Sequence, residues 1–230
     1  MTQVPATNPV ESSVKRNSAP LPVKILLTGG FGVGKTTMVA SVSEIAPVCT
    51  EVAMSGPSRA LDDTSLVAEK RATTVALDFG RITIDEQVAV YLFGTPGQAR
   101  FWFMWDRLAR GAFGAVVLVD VRRLADCFAP LDYLERAGLP HVVCVNRFDG
   151  TLVYPEQELR HALALGDEVP LLSCDARVRA GAKQVLIALV AHVARRRGVP
   201  GPSGSVPVRA PGSVPGSVPV SVARPVGRYI

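Results

Sequence analysis

The sequence reads as an α/β domain of three layers: a mostly parallel six-stranded sheet with helices on both faces. Three observations lead there. Short β-branched apolar runs alternate with longer stretches of helical period through the middle of the chain, the pattern of strands joined by crossover helices. Two of the runs are separated only by Asp85-Glu86, too short for a crossover and right for a hairpin. The 230 residues are 48% apolar and 20% charged, enough for one well-filled core.

Taken in order, Met1 to Leu21 is polar and loose and is expected to be unstructured. The first strand is Val23 to Thr28, an apolar run that stops at two glycines. A helix follows at Lys35 to Ile45. Leu77 to Ile84 and Gln87 to Phe93 form the hairpin. Ala99 to Arg110 and Arg123 to Ala137 have helical period on either side of the strand Ala115 to Asp120. His141 to Asn146 is the next strand, Pro155 to Leu165 the next helix, and Pro170 to Ser173 the last strand. The last helix, Val178 to Arg197, repeats Val178, Ala182, Val185, Leu186, Leu189, Val190 and Val193 at steps of three and four, and its basic end suits the negative C-terminus of a helix. Beyond it, residues 199–230 are Gly, Pro, Ser, Val and Arg, with Gly-Ser-Val-Pro starting at Gly204, Gly212 and Gly216. Frequent proline removes amide donors, so a disordered or polyproline-like tail is expected. The folded domain is thus expected to span residues 22–198.

Composition excludes several classes. Cys49, Cys127, Cys144 and Cys174 lack metal-ligand or disulfide-framework spacing. The apolar run Val185 to Ala194 is too short to span a bilayer and contains His192. No signal peptide or lipidation box is recognisable, so a cytoplasmic protein without direct membrane insertion is expected. The net charge of +5 does not argue for nucleic acid: three arginines without an acid lie in 199–230 and one net charge in 1–21, which leaves +1 on the domain.

The chemistry begins at Gly29-Gly30-Phe31-Gly32-Val33-Gly34-Lys35-Thr36, which satisfies G-x-x-x-x-G-K-[ST] between a strand and a helix. Such a P-loop turns successive amides inward onto a di- or triphosphate, with the helix N-terminus behind it and Lys35 on the terminal phosphates. Thr36 is the expected Mg²⁺ ligand, and Thr37 follows it at the helix start. This loop alone leaves ATPases, small-molecule kinases and GTPases open. Asn146-Arg147-Phe148-Asp149, at the end of an apolar strand, resembles the guanine motif N-K-x-D. A carboxylate at Asp149 accepts from guanine N1–H and N2–H₂, whereas adenine has no N1 donor, so GTP/GDP is favoured over ATP.

These motifs together resemble the Ras-like small GTPase superfamily over residues 22 to 198. Leu92-Phe93-Gly94-Thr95-Pro96-Gly97-Gln98-Ala99-Arg100-Phe101 is similar to its switch II, Thr74-Val75-Ala76-Leu77-Asp78-Phe79 to its switch I, and Ser173-Cys174-Asp175 to its S-A-K motif. The strings T-T-V-A-L-D-F-G-R-I, F-G-T-P-G-Q and V-N-R-F-D-G look most like bacterial conservon-type proteins, relatives of the gliding-motility small GTPases. The resemblance implies that Thr74 joins Thr36 on Mg²⁺, that the Gly97 amide meets the γ-phosphate, and that Gln98 orients the attacking water. Lys35 and Gly97 then belong with Gln98 to the catalytic set. The Cys174 amide reads guanine O6, and the Arg147 stem covers one ring face. It further implies a signalling switch with a roadblock/LC7-type regulator and a sensor-kinase-like partner, with membrane contact only through partners.

Two positions depart from that pattern. Gly94 stands where the superfamily has the switch II aspartate of the Mg²⁺ shell; Asp78 and Asp120 are alternative carboxylates, read more simply as a surface strand residue and a strand-end residue. Phe31 stands where a tiny residue leaves space for the glutamine, so slow hydrolysis is expected. Arg100 is a candidate internal arginine finger, although a surface arginine is the simpler reading. Phe101-Trp102-Phe103-Met104-Trp105 cannot all be buried by one helix face, so Trp102 or Phe103 is expected to be exposed and to serve a partner. The stretch Pro47 to Thr73 reads as a long mobile connection, with Asp62-Asp63 as a solvated turn.

Overall fold

A computed structural model describes residues 19–46, 48–54, 73–97 and 103–198. They form one mixed sheet of seven strands: β1 (Leu21–Gly29), β2 (Val48–Met54), β3 (Thr73–Thr83), β4 (Val88–Gly94), β5 (Gly114–Val119), β6 (His141–Asn146) and β7 (Leu171–Cys174). The order is β2-β3-β4-β1-β5-β6-β7. β4, β1, β5, β6 and β7 are mutually parallel, whereas β2, β3 and β4 pair antiparallel. The α/β fold and the hairpin are as expected, with one strand more than six.

That added strand corrects the reading of Pro47 to Thr73 as a mobile connection over Val48–Met54; residues 55–72 lie outside the described residues. Val48–Met54 pairs along its whole length with β3, from Val48 opposite Phe79 to Met54 opposite Thr73. An edge strand of mixed polarity such as Val-Cys-Thr-Glu-Val-Ala-Met has no clear alternation to announce it. Asp62 and Asp63 lie outside the described residues.

The helices are α1 (Lys35–Val42), α2 (Trp105–Ala109), α3 (Phe128–Arg136), α4 (Glu156–Ala162) and α5 (Arg179–Arg196). One core gathers Met38, Val39 and Val42 of α1 with Val185, Leu189 and Val193 of α5 against Ile25, Leu27, Val116 and Leu118 of the sheet. The other places Phe128, Leu131 and Leu134 of α3 and Leu159 of α4 over Leu26, Val117 and Val143. Strands β5 and β6 are buried at every position, as a parallel sheet covered on both faces requires. Between β5 and α3 runs a 3₁₀ segment, Val121–Cys127, kinked at Arg123 and capped by the Asp120 side chain, which accepts from the Arg122 N–H. No helix among the described residues is long and apolar enough to cross a membrane.

Candidate functional site

The loops that follow β1, β4, β5, β6 and β7 emerge at the C-terminal edge of the parallel strands, the usual crevice for a ligand in such sheets. The phosphate loop follows β1. Gly29 has φ 136° and an added Cβ would lie 2.3 Å from the Leu118 carbonyl oxygen; Gly34 has φ 102° and a Cβ there would meet the Asn146 amide nitrogen at 2.5 Å. Both therefore must be glycine for the loop to close against β5 and β6. Val33 is buried in the first core and anchors the loop from below, whereas the Phe31 side chain at its tip is 65% exposed.

Lys35 is buried and donates to the carbonyls of Gly29 at 2.9 Å and Gly30 at 2.7 Å. Burial lowers its pKa to about 8, against the opposing pull of Asp78 and Asp126. Thr36, at the first turn of α1, donates its hydroxyl to Asp78 Oδ2 at 2.7 Å. Thr37 is exposed beside it.

Asp78 overturns its reading as a surface strand residue: it is only 7% exposed and reaches across the sheet edge to the P-loop threonine. The reason is register. Asp78 pairs directly with Gly94, and a Cβ on Gly94 would lie 2.8 Å from Asp78 Cβ and 2.9 Å from its Oδ2. Asp78 thus fills the space that a side chain at position 94 would need. Asp120, the other alternative, is the strand-end residue expected: both its oxygens are taken by the Arg122 guanidinium, which holds its carboxyl below the ordinary range.

Thr95 follows β4, with its N–H on the Leu27 carbonyl and its hydroxyl on Thr28 Oγ at 3.0 Å. This clamps the next residues onto the P-loop: a Cβ on Gly97 would lie 2.8 Å from the Phe31 nitrogen and 2.9 Å from the Gly30 carbonyl. Gln98, Arg100, Phe101 and Trp102 lie outside the described residues. Thr74 sits in β3 opposite Ala53. Of the aromatic cluster, Phe103 is exposed, while Trp105 is buried edge-on against Tyr133 with ring centroids 5.1 Å apart.

Asn146 joins the pieces. It is 4% exposed at the end of β6; its Nδ2 donates to the Val33 carbonyl and its Oδ1 accepts from the Ala176 N–H, both at 2.9 Å. One side chain thus ties the phosphate loop to the loop after β7. Arg147 donates to Ser173 Oγ, and the Arg147 N–H to the Cys174 carbonyl at 2.7 Å. Cys127, Cys144 and Cys174 are buried thiols. Cys144 Sγ donates to Cys174 Sγ at 3.3 Å, which raises the Cys144 pKa and lowers that of Cys174.

Asp149 is exposed, and both its oxygens accept from Arg177 at 2.9 Å. Those hydrogen bonds hold its carboxyl below the ordinary range. The two contributors that motif reading did not name are Arg177 and Asp126, whose carboxylate packs on Gly30 and pairs with Arg123 at 2.7 Å.

The family model described as "Conserved hypothetical ATP binding protein" matches residues 58–196, more than half of the sequence. The chain belongs to that family. Its members' match begins downstream of the phosphate loop, so the loop is an independent observation; with the family, it makes this a nucleotide-binding P-loop protein of the NTPase type. An uncharacterized protein of Methanocaldococcus jannaschii, MJ1339, is 29% identical over 130 residues, covering 55% of this chain and 71% of that one. Among solved structures, the cytosolic domain of the T. maritima FeoB iron transporter is similar in its apo form, with a TM-score of 0.53 at 14% identity over 75% of this chain and 64% of that chain. Its GDP form I gives 0.52, also at 14% identity, over 76% and 65%. This family member therefore spans just under two thirds of those structures and shares their fold.

The oxygen donors around Thr36 suit a magnesium ion. Mg²⁺ prefers a hydroxyl, a carboxylate, phosphate oxygens and water to a dedicated protein cage; Thr36 and Asp78 supply the first two side by side. No cluster of three His, Cys, Asp or Glu ligands occurs among the described residues.

Proposed function

We propose that this protein binds GTP and GDP through a unit spanning residues 22–198, hydrolyses GTP slowly, and acts as a conformational switch in bacterial signalling. The observation that carries the reading is Asn146, whose buried amide couples the phosphate loop to the two loops that would read a guanine. In this reading Gly29, Gly30, Phe31, Gly32, Val33, Gly34, Lys35, Thr36 and Thr37 surround the phosphates, while Arg147, Asp149, Ser173 and Cys174 flank the base. Thr36, Thr74 and Asp78 would hold Mg²⁺, which supplies neutralisation of phosphate charge when bound. The chain's own groups do the rest. Lys35 leaves its loop carbonyls for the terminal phosphates, Gly97 presents its amide from the switch II side, and Gln98 positions water. The bulk of Phe31 at the loop tip supports a slow rate.

The finer assignment, a conservon-type protein with a roadblock/LC7-type regulator and a sensor-kinase-like partner, rests on sequence resemblance. The exposed Phe103 beside switch II supports a partner surface. In the same reading the protein is cytoplasmic and reaches a membrane only through partners.

The family description favours a second reading, ATP binding. Identification of the copurifying nucleotide and competition of GTP against ATP separates the two; equal competition refutes the guanine reading. Single-turnover hydrolysis with Mg²⁺, compared with Lys35→Ala, tests the enzyme: release no faster than in that variant leaves a binding scaffold.

A further inference from the structure

The loop after β7 contains an arginine that neither motif accounts for. Arg177 faces Asp149 with Nη1 on Oδ2 and Nη2 on Oδ1, each at 2.9 Å, so the pair is a fork on a fork. The same guanidinium is held from behind by Asp175: Oδ1 accepts from the Arg177 N–H and Nε at 2.9 Å, and Oδ2 from Nε at 3.1 Å and Nη2 at 2.7 Å. These two holds are unequal. Asp175 is two residues away, is fixed by a backbone hydrogen bond and is only 28% exposed, whereas Asp149 is 85% exposed on another loop. Among the described residues, Nη1 bonds only Asp149. Release from Asp149 therefore leaves most of the contacts to Asp175 intact.

The donor edge that Arg177 presents has a close chemical analogue. Guanine N1–H and N2–H₂ sit on the two nitrogens of an N–C–N unit, just as the arginine donors sit on Nη1 and Nη2 around Cζ. Both seek the paired oxygens of a carboxylate in one plane. The carboxylate has further lone pairs, but it has only one such bidentate edge, and Arg177 covers it. Adenine offers no matching donor pair at that edge.

We propose that Arg177 is an internal competitor for the base: it occupies the guanine-reading edge of Asp149, a guanine nucleotide displaces it onto Asp175, and it thereby sets how strongly and how fast the protein discriminates guanine from adenine. This rests on the guanine reading of Asp149. Arg177 acts through Asp149 and is a specificity-determining residue, not a catalytic one. Since the pair is exposed, its grip is modest, and the expected effect is about two- to five-fold.

The test measures Kd and association rate for GDP and ADP with fluorescent analogues on the full chain, in wild type, Arg177→Ala, Arg177→Lys, Asp149→Asn and the double variant Asp149→Asn/Arg177→Ala. Contacts to phosphate cancel in the ADP-to-GDP ratio of Kd values, so that ratio isolates the base. Arg177→Ala is expected to tighten GDP about two- to five-fold, with faster association, and to leave ADP unchanged. Arg177→Lys, with one ammonium for two oxygens, falls between. In the Asp149→Asn background, removal of Arg177 has no further effect on the ratio. A ratio unchanged or lowered by Arg177→Ala overturns the competitor. The two levels fail separately: if Asp149→Asn collapses guanine preference but Arg177→Ala does not raise it, only the competitor is wrong. If Asp149→Asn leaves the ratio intact, the guanine reading itself falls and the competitor with it.

Discussion

The close contact between Asp78 and Gly94 makes a quantitative prediction, because the two positions face each other across one pair of strands. Restoring an aspartate at position 94 places a Cβ 2.8 Å from Asp78 Cβ and 2.9 Å from its carboxylate oxygen, closer than packed atoms tolerate. The steric part of Gly94→Asp costs about 1–3 kcal/mol. A second carboxylate beside Asp78 adds like-charge repulsion to that cost. For a chain of this size each kcal/mol lowers Tm by about 2–4 °C, so the single variant is expected to melt about 2–12 °C below wild type. Asp78→Gly removes the acceptor for Thr36 and adds a flexible strand residue, which costs about 0.5–1 kcal/mol for the glycine alone. The combined variant Asp78→Gly/Gly94→Asp moves carboxylate and glycine to opposite strands without changing their sum. It is expected to recover most of the loss, with a coupling energy inside the roughly 0.5–3 kcal/mol range of contacting pairs. Thermal and urea unfolding of the four proteins measures the cycle. Gly94→Asp as stable as wild type, or a combined variant no better than the worse single one, would falsify the idea that these two positions compete for one space.

Other outcomes follow from the same geometry. Asn146→Ala strips partners from the Val33 carbonyl and the Ala176 N–H in a buried site; urea unfolding should show a loss of about 1–3 kcal/mol for each group left unpaired, with weaker nucleotide binding. Lys35 titrates at about 8 in the free protein because it is buried, whereas phosphate holds it charged, so nucleotide affinity should fall about tenfold per pH unit above that point. Its folded pKa lies below the ordinary 10.5, the unfolded chain binds more protons between the two values, and stability of the free protein should therefore rise with pH across that window; pH-resolved binding and melting check both signs. Phe31→Ala removes a largely exposed ring; its stability should stay within about 0.5 kcal/mol of wild type, and single-turnover GTP hydrolysis should quicken.

Legibility in the sequence divided along a physical line. The phosphate loop and Asn146-Arg147-Phe148-Asp149 are contiguous strings whose spacing alone specifies their geometry, and each lies where a strand ends. Asp78 was named only as an alternative carboxylate, and its burial was not legible because its partner depends on hairpin register. A two-residue turn at Asp85-Glu86 would place Asp78 opposite Phe93. The turn instead spans Asp85 to Gln87, with the Asp85 carboxylate accepting from the Gln87 and Val88 N–H groups, and so sets Asp78 opposite Gly94. One residue of slip turns a side chain to the other face. Arg177 was invisible for a related reason: it meets Asp149 across 28 residues of chain. Strand β2 lies at the sheet edge with a single neighbour, where the burial that writes a hydrophobic period is weakest.

The family's adenine label and the guanine motif meet at Asp149, and the state of that carboxylate is what distinguishes them. An adenine at this position offers the carboxylate no matching donor pair and leaves Arg177 where it is. A guanine brings two donors and makes Arg177 redundant. On that reading the same side chain stays on Asp149 for one base and must leave it for the other. If the guanine reading of Asp149 holds, selectivity is the difference between a guanine fork and an arginine fork on one carboxylate, not the absolute strength of either. Such a difference between two similar hydrogen-bonded forks is small. A protein built this way is expected to prefer guanine by less than a site whose aspartate has no internal partner, and removal of Arg177 should widen the preference.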